Sequence, residues 1–199
     1  MKSITLGILG GLGPMSGVYF CEMLISHTRA ERDQQHLNFL LSSRAETPDR
    51  TAFITGRSTD DPVPIMREEV EKLAAAGADL IAIPCNTAHY FYDAIAENAS
   101  VPILNIIEST ADVCAARGFR QVGVLATEGT ISSGAYATAL AERGIGYLTC
   151  PTEEQEIISD IIYRDIKQGK EPDPTAFFRI ADGLRRRGAE TVILGCTEL

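Results

Sequence analysis

Residues 77–87 read GADLIAIPCNT, and residues 188–197 read GAETVILGCT. Each opens on Gly-Ala and an acidic residue, runs through an apolar stretch, and ends on Cys with small polar residues around it. Cys85 stands eight residues after Gly77, and Cys196 stands eight after Gly188. A short apolar run bounded by turn residues reads as a buried strand. A strand that ends on a thiol and a hydroxyl places reactive groups at its carboxyl end, and this sequence does so twice.

Outward from these units, strand and helix alternate. ITLGILG (4–10) reads as a buried strand, MSGVYFCEMLISHTRAE (15–31) as a helix and LNFLLSS (37–43) as a second strand, followed by the polar loop AETPDRT. VPIMREEVEKLAAAG (63–77) has apolar residues at helical spacing and stops at Gly77. DLIAIP is the third strand, VPILN (101–105) a short fourth, and AHYFYDAIAEN between them reads as a helix. The cycle restarts with helix ESTADVCAARG, strand VGVLA, helix SGAYATALAERG and the short strand YLTC. It closes with helices EIISDIIYRDIKQG and PTAFFRIADGLRRRG and the strand TVILG. Strands joined by helices of this length form parallel sheets. LGILGGLGP near residue 10 has a counterpart in VGVLATEGT near residue 127. The expectation is an α/β protein of two similar lobes, 1–104 and 105–199. Ligands of such sheets bind at the carboxyl ends of the strands, so two facing lobes would set Cys85 and Cys196 on opposite walls of one cleft.

Composition narrows the function. A hydrophobic content of 45% with 23% charged residues among 199 is that of a globular chain. No apolar run approaches the roughly 20 residues that span a bilayer. The start, MKSITLGILGGLGP, is glycine-broken and lacks a cleavage site, so it reads as a strand and not a signal peptide. A net charge of −9 disfavours nucleic acid and anionic membranes as partners. Five cysteines with no C-x-x-C and no export signal read as reduced, cytoplasmic thiols, with no zinc-ligand spacing.

Backbone N–H groups where a helix begins after a strand, with Asn86 and Thr87 beside them, suit a carboxylate. The same partial charge lowers a thiol from its usual value near ~8.5. Two such thiols across a carboxylate pocket suggest removing a proton from one face of a carbon and returning one to the other.

GILGGLGP, PDRT, PCNTAH, ATEGT and GCTEL, in that order along the chain, resemble the aspartate/glutamate racemases that work without pyridoxal phosphate. The resemblance implies a pseudo-twofold pair of α/β lobes with the active site between them, catalytic thiols at Cys85 and Cys196, and no cofactor or metal. It implies that Asn86, Thr87, Thr127, Thr130 and Thr197 bind the α-carboxylate and ammonium of the substrate. Glutamate racemases carry histidine after the second Cys-Thr, where Glu198 stands here, which resembles the aspartate branch. Arg50 in PDRT and Lys167 match that branch's side-chain carboxylate ligands, and the arginine fork is the better geometric partner. The family usually continues past GCTE with a segment that returns to the first lobe, and relatives imply a homodimer; the sequence here ends at Leu199.

Plainer readings apply elsewhere. Cys21, Cys114 and Cys150 read as packing thiols, and His89 as a residue that orients the Cys85 turn. GLGPMS lacks the third glycine of a dinucleotide fingerprint and reads as a tight turn, and no G-x-S-x-G is present. Lys72, Lys167 and Lys170 offer no pyridoxal-phosphate site. The function expected is interconversion of L- and D-aspartate, with glutamate as a further substrate. A cysteine-dependent isomerase of a dicarboxylate such as maleate is the alternative, and a non-catalytic amino-acid-binding protein is the third.

Overall fold

A computed structural model describes residues 4–199 of the chain. In chain order the elements are β1 (Thr5–Gly10), α1 (Pro14–His27), β2 (Asn38–Ser43), α2 (Arg50–Ile54), α3 (Val63–Ala75), β3 (Leu80–Ala82) and α4 (Tyr92–Ala96). They continue with α5 (Ile106–Ala116), β4 (Gln121–Ala126), α6 (Glu128–Ser132), α7 (Ala135–Ala141), β5 (Gly146–Thr149), α8 (Thr152–Asp160), α9 (Pro174–Arg186) and β6 (Thr191–Gly195). Two parallel three-stranded sheets, ordered β2-β1-β3 and β5-β4-β6, are each flanked by helices. The chain divides into two compact units: residues up to Asp49 with Thr59–Ile106, and Arg50–Ser58 with Ile107–Leu199.

In the first unit β1 is central and almost wholly buried. Its alternate residues face opposite helices, as the period of a strand requires. Leu6 and Ile8 pack with Phe20, Cys21 and Leu24 of α1. Gly7 faces the other way, where an added Cβ would lie 2.5 Å from Ile81 Cδ1 and 3.3 Å from the Cβ of Leu73 in α3. The glycine is what lets α3 settle on the sheet.

The second unit repeats the scheme. Leu125 of β4 packs with Ile158 of α8 and with Ile180 and Leu184 of α9. Gly123, on the same face, leaves room for Leu184, whose Cδ1 would sit 2.9 Å from an added Cβ. On the opposite face a Cβ added to Gly195 would lie 2.9 Å from the Ala126 Cβ and 3.3 Å from the ring of Tyr136 in α7. The repeated sequence is thus a repeated packing device: a glycine in the central strand receives a leucine of the helix that leads into the cysteine-bearing strand. Gly77 and Gly188 end those helices at φ +100° and +103°, a backbone region that L side chains rarely adopt.

Four local expectations are corrected. VPILN is not a strand but a single bridge, Ile81 to Ile103, closed by Ile81 N to Pro102 O at 2.9 Å and Leu104 N to Ile81 O at 2.8 Å. Pro102 has no N–H to extend the ladder. The loop AETPDRT ends in a helix, because Arg50 opens α2. AHYFYDAIAEN splits into a 3-10 turn, Thr87–Phe91, and the short α4. EIISDIIYRDIKQG is not one α-helix: α8 gives way to a π-helical turn, Ile161–Asp165, then a 3-10 turn, Ile166–Gln168, and stops at Gly169 with φ +71°.

Candidate active site

Cys85, Asn86 and Thr87 follow β3 in the first unit, and all three are buried. The Cys85 thiol donates to the backbone oxygen of Leu12 at 3.7 Å. Leu12 reaches it because the loop after β1 turns at Gly11, with φ +83°. A Cβ there would lie 2.5 Å from backbone atoms of Arg44, so only glycine fits. Asn86 precedes the 3-10 turn that Thr87 begins.

His89 orients this turn. Its Nδ1 lies 2.9 Å from the Cys85 oxygen, and its Nε2 accepts from Ile106 N at 3.2 Å. Nε2 also lies 3.3 Å from the Leu104 oxygen, and in the tautomer protonated on Nδ1 the ring donates to the Cys85 carbonyl while accepting from Ile106. Burial pushes the imidazole below its ordinary pKa, although its backbone oxygen partners oppose the shift, which keeps the ring neutral. The ring stacks on Tyr92, whose hydroxyl donates to Ile103 O at 2.9 Å. Together they pin the Cys85 turn to residues 103–106.

In the second unit the last paired residues of β4 and β6 are Ala126 and Gly195. Thr127 and Cys196 therefore leave neighbouring strands at one level. Thr127 caps α6: its Oγ1 accepts from Thr130 N at 3.1 Å and lies 3.0 Å from Thr130 Oγ1, with both side chains buried. α2 lies against this cap. An added Cβ on Gly129 would fall 2.8 Å from Thr51 Oγ1, so Arg50, the neighbour of Thr51, belongs to the same end of the unit.

Cys196 is buried, and its thiol donates to Oε2 of Glu198 at 2.9 Å. Thr197 Oγ1 donates to the same oxygen at 3.2 Å, and the Lys167 ammonium pairs with Oε1. Burial alone would raise the Glu198 pKa. The donors from Cys196, Lys167 and Thr197 outweigh it and hold the carboxyl below its ordinary value. Glu198 is thus an ionised acceptor, 11% exposed, facing a thiol proton.

The structure gathers Cys196, Thr197 and Lys167 into one hydrogen-bonded cluster and sets Thr127, Thr130 and Arg50 at the same end of the second unit. Cys85, Asn86 and Thr87 form their own cluster in the first. Glu198 emerges as the group that binds the cluster together; two positions after the cysteine, its spacing in C-T-E was the available signal. The Leu12 carbonyl and Tyr163, whose hydroxyl donates to Thr51 Oγ1 at 2.9 Å, carried no such signal. Cys21, Cys114 and Cys150 pack into the units; Cys150 lies in the core of the second, and burial raises the pKa of all three thiols. Among the described residues no cluster of three metal-ligating side chains occurs, and no helix is long and apolar enough to cross a membrane.

Two cysteine turns at the ends of equivalent strands in two similarly wound units agree with comparisons to known proteins. Residues 9–199 match the model of the Asp/Glu/hydantoin racemases. The chain belongs to that family. The aspartate racemase of Picrophilus torridus is 31% identical and superposes with a TM-score of 0.89 over 99% of this chain and 82% of that one. The broad specificity amino-acid racemase RacX of Bacillus subtilis is 34% identical over 145 residues, which make up 70% of this chain and 61% of that protein. A glutamate racemase of Corynebacterium kroppenstedtii is 36% identical over 134 residues, 64% of this chain and 44% of that protein. The chain thus spans between about two fifths and three fifths of the length of these two relatives.

Proposed function

We propose that this protein racemises an acidic amino acid, aspartate before glutamate, without a cofactor, using Cys85 and Cys196 as the two acid/base groups. The observation that carries the reading is the Cys196 thiol donating to the ionised Glu198, itself held by Lys167. A thiolate beside a carboxylate is disfavoured, so Cys196 rests as the proton donor. Cys85 donates its thiol proton to the Leu12 carbonyl, and in this scheme it acts as the base once that proton has passed to solvent. Cys85 thiolate takes the α-proton, the carbon–hydrogen pair passes into the α-carboxylate as an enediolate, and Cys196 delivers its proton to the other face. Cys85 then holds a proton and Cys196 a negative charge, which the neighbouring Glu198 disfavours. Proton exchange restores the resting pair.

Asn86, Thr87, Thr127, Thr130 and Thr197 hold the substrate's α-carboxylate and ammonium in this scheme. Arg50 meets the side-chain carboxylate. An ammonium has three donors, so Lys167 serves that carboxylate while keeping Glu198. The aspartate racemase of Picrophilus torridus, similar over almost the whole chain, supports aspartate first. A homodimer in a reducing, cytoplasmic compartment that keeps both thiols free belongs to the same proposal.

The test is incubation with L-aspartate in D2O, followed by NMR at the α-carbon. Deuterium enters the α-position as D-aspartate accumulates, with no cofactor added. Untouched aspartate with turnover of maleate would move the assignment to dicarboxylate isomerisation, and binding without any reaction would make this an amino-acid-binding protein.

A further inference from the structure

Tyr163 touches both segments that carry the cations of the proposed site. Its hydroxyl donates to Oγ1 of Thr51 at 2.9 Å, and Thr51 directly follows Arg50 in α2. Its ring faces the Lys167 ammonium, with Nζ 6.0 Å from the ring centroid, within reach of a cation–π attraction. This double contact depends on a local irregularity. Tyr163 lies in the π-helical turn Ile161–Asp165, and Lys167 in the 3-10 turn after it. Such a turn shifts the register of everything beyond it, and π-turns recur at functional sites.

Thr51 itself has little freedom. It is buried, and an added Cβ on Gly129 would lie 2.8 Å from its Oγ1 and 2.9 Å from its Cα. Glycine at 129 admits Thr51 on one side, and the Tyr163 phenol holds its hydroxyl on the other. These two contacts, with the Arg57–Glu128 ion pair at 2.8 Å just beyond the helix, hold α2 and hence Arg50. Lys167 is set by the same tyrosine ring and by Glu198.

We propose that Tyr163 is a positioning residue that fixes the spacing of Arg50 and Lys167, and so selects dicarboxylate ligands of one length over monocarboxylates. The inference rests on the assignment of Arg50 and Lys167 to a side-chain carboxylate. It makes Tyr163 a determinant of specificity without contact to the reacting atoms.

Tyr163→Phe keeps the ring beside Lys167 and removes only the hydroxyl. Calorimetry with succinate and with butyrate measures binding apart from turnover, and kinetics with aspartate and alanine measure turnover. In Tyr163→Phe, succinate binding weakens and KM for aspartate rises, each about tenfold, the loss of one good hydrogen bond. Butyrate binding and kcat stay within about twofold, inside the range of a neutral surface change. Thr51→Val reproduces the effect, the double variant is no worse than either single one, and Thr51→Ser, which keeps the acceptor, retains the preference. Equal losses for succinate and butyrate, or a fall in thermal stability alone, overturn the proposal. Normal racemisation with unchanged selectivity overturns it and leaves the racemase reading standing. Tyr163-dependent succinate binding without racemisation upholds it and removes the racemase reading. Failure of the wild-type protein to bind succinate or aspartate overturns both.

Discussion

Replacing Glu198 by glutamine keeps the shape and one acceptor oxygen beside Cys196 while removing the charge. The thiol hydrogen bond changes from charge-assisted to neutral, a loss of about 1–1.5 kcal/mol. Lys167, 27% exposed, loses its ion-pair partner, which adds about 1 kcal/mol at that degree of solvent screening. A total of about 2–2.5 kcal/mol is the lost preference for protonated Cys196, so the population with Cys196 as proton donor, and kcat/KM with it, falls by up to roughly 30- to 70-fold. Glu198→Asp keeps the charge at a longer reach and falls less. The assay is polarimetric racemisation from each enantiomer separately. Enantiomers have equal free energy in solution, so kcat/KM must drop equally in the two directions, which is an internal check. The pH dependence follows from the same carboxyl. Its folded pKa lies below the ordinary value of 4.5, so its contribution to stability is complete above that value and is lost as pH falls through the lower, folded one. Glu198→Gln should flatten this acid limb in a urea titration series. A Glu198→Gln enzyme that racemises within threefold of wild type, with its acid limb intact, would refute the role given to this carboxylate.

Cys85→Ser and Cys196→Ser should each abolish racemisation by orders of magnitude yet retain α-proton exchange with opposite enantiomer preferences; near wild-type racemisation by either sinks the two-base scheme. Arg50→Ala should lose aspartate turnover far more than alanine turnover, by about 2–4 kcal/mol in kcat/KM, whereas equal losses would make Arg50 structural. His89 has a folded pKa below its ordinary 6.5, so protonation favours the unfolded chain, and stability should decline as pH falls from about 6.5 toward the folded value. His89→Gln should remove that slope in denaturant titrations. Gly11→Ala should destabilise the protein by about 2 kcal/mol or more, since it adds left-handed strain to a backbone clash, and full stability in thermal unfolding would contradict the close approach at Arg44.

The two cysteine units and the helix stop at Gly77 were legible because each is written within about a dozen consecutive residues, and the parallel sheets because helices alternate with strands along the chain. The strand expected at VPILN failed for a local reason, the missing N–H of Pro102, that apolar content outweighed in the reading. α2 was missed because five residues cannot hold a helix on propensity; contact between Thr51 and Gly129 accompanies it. The interruption after α8 was equally invisible, since EIISDIIYRDIKQG has unbroken helical spacing. At the site, Cys196 and Glu198 are two positions apart and could be paired by eye. Thr51 and Tyr163 are separated by 112 positions, and only the folded chain brings them together.

The membership of residues 50–58 in the second unit has a consequence for how the chain is made. Everything that forms the first unit has been synthesised once Ile106 is added, whereas this short stretch is then present with its own surroundings still untranslated. At about 5–20 residues per second, the wait from Thr51 to Tyr163 lasts on the order of ten seconds. Thr51 first lacks the glycine that makes room for it, until Gly129 is made, and then still lacks the phenol that fixes its hydroxyl, until Tyr163 is made. The second unit is thus completed by a part delivered early, and a gene divided between the two halves of the repeat would separate that part from its place.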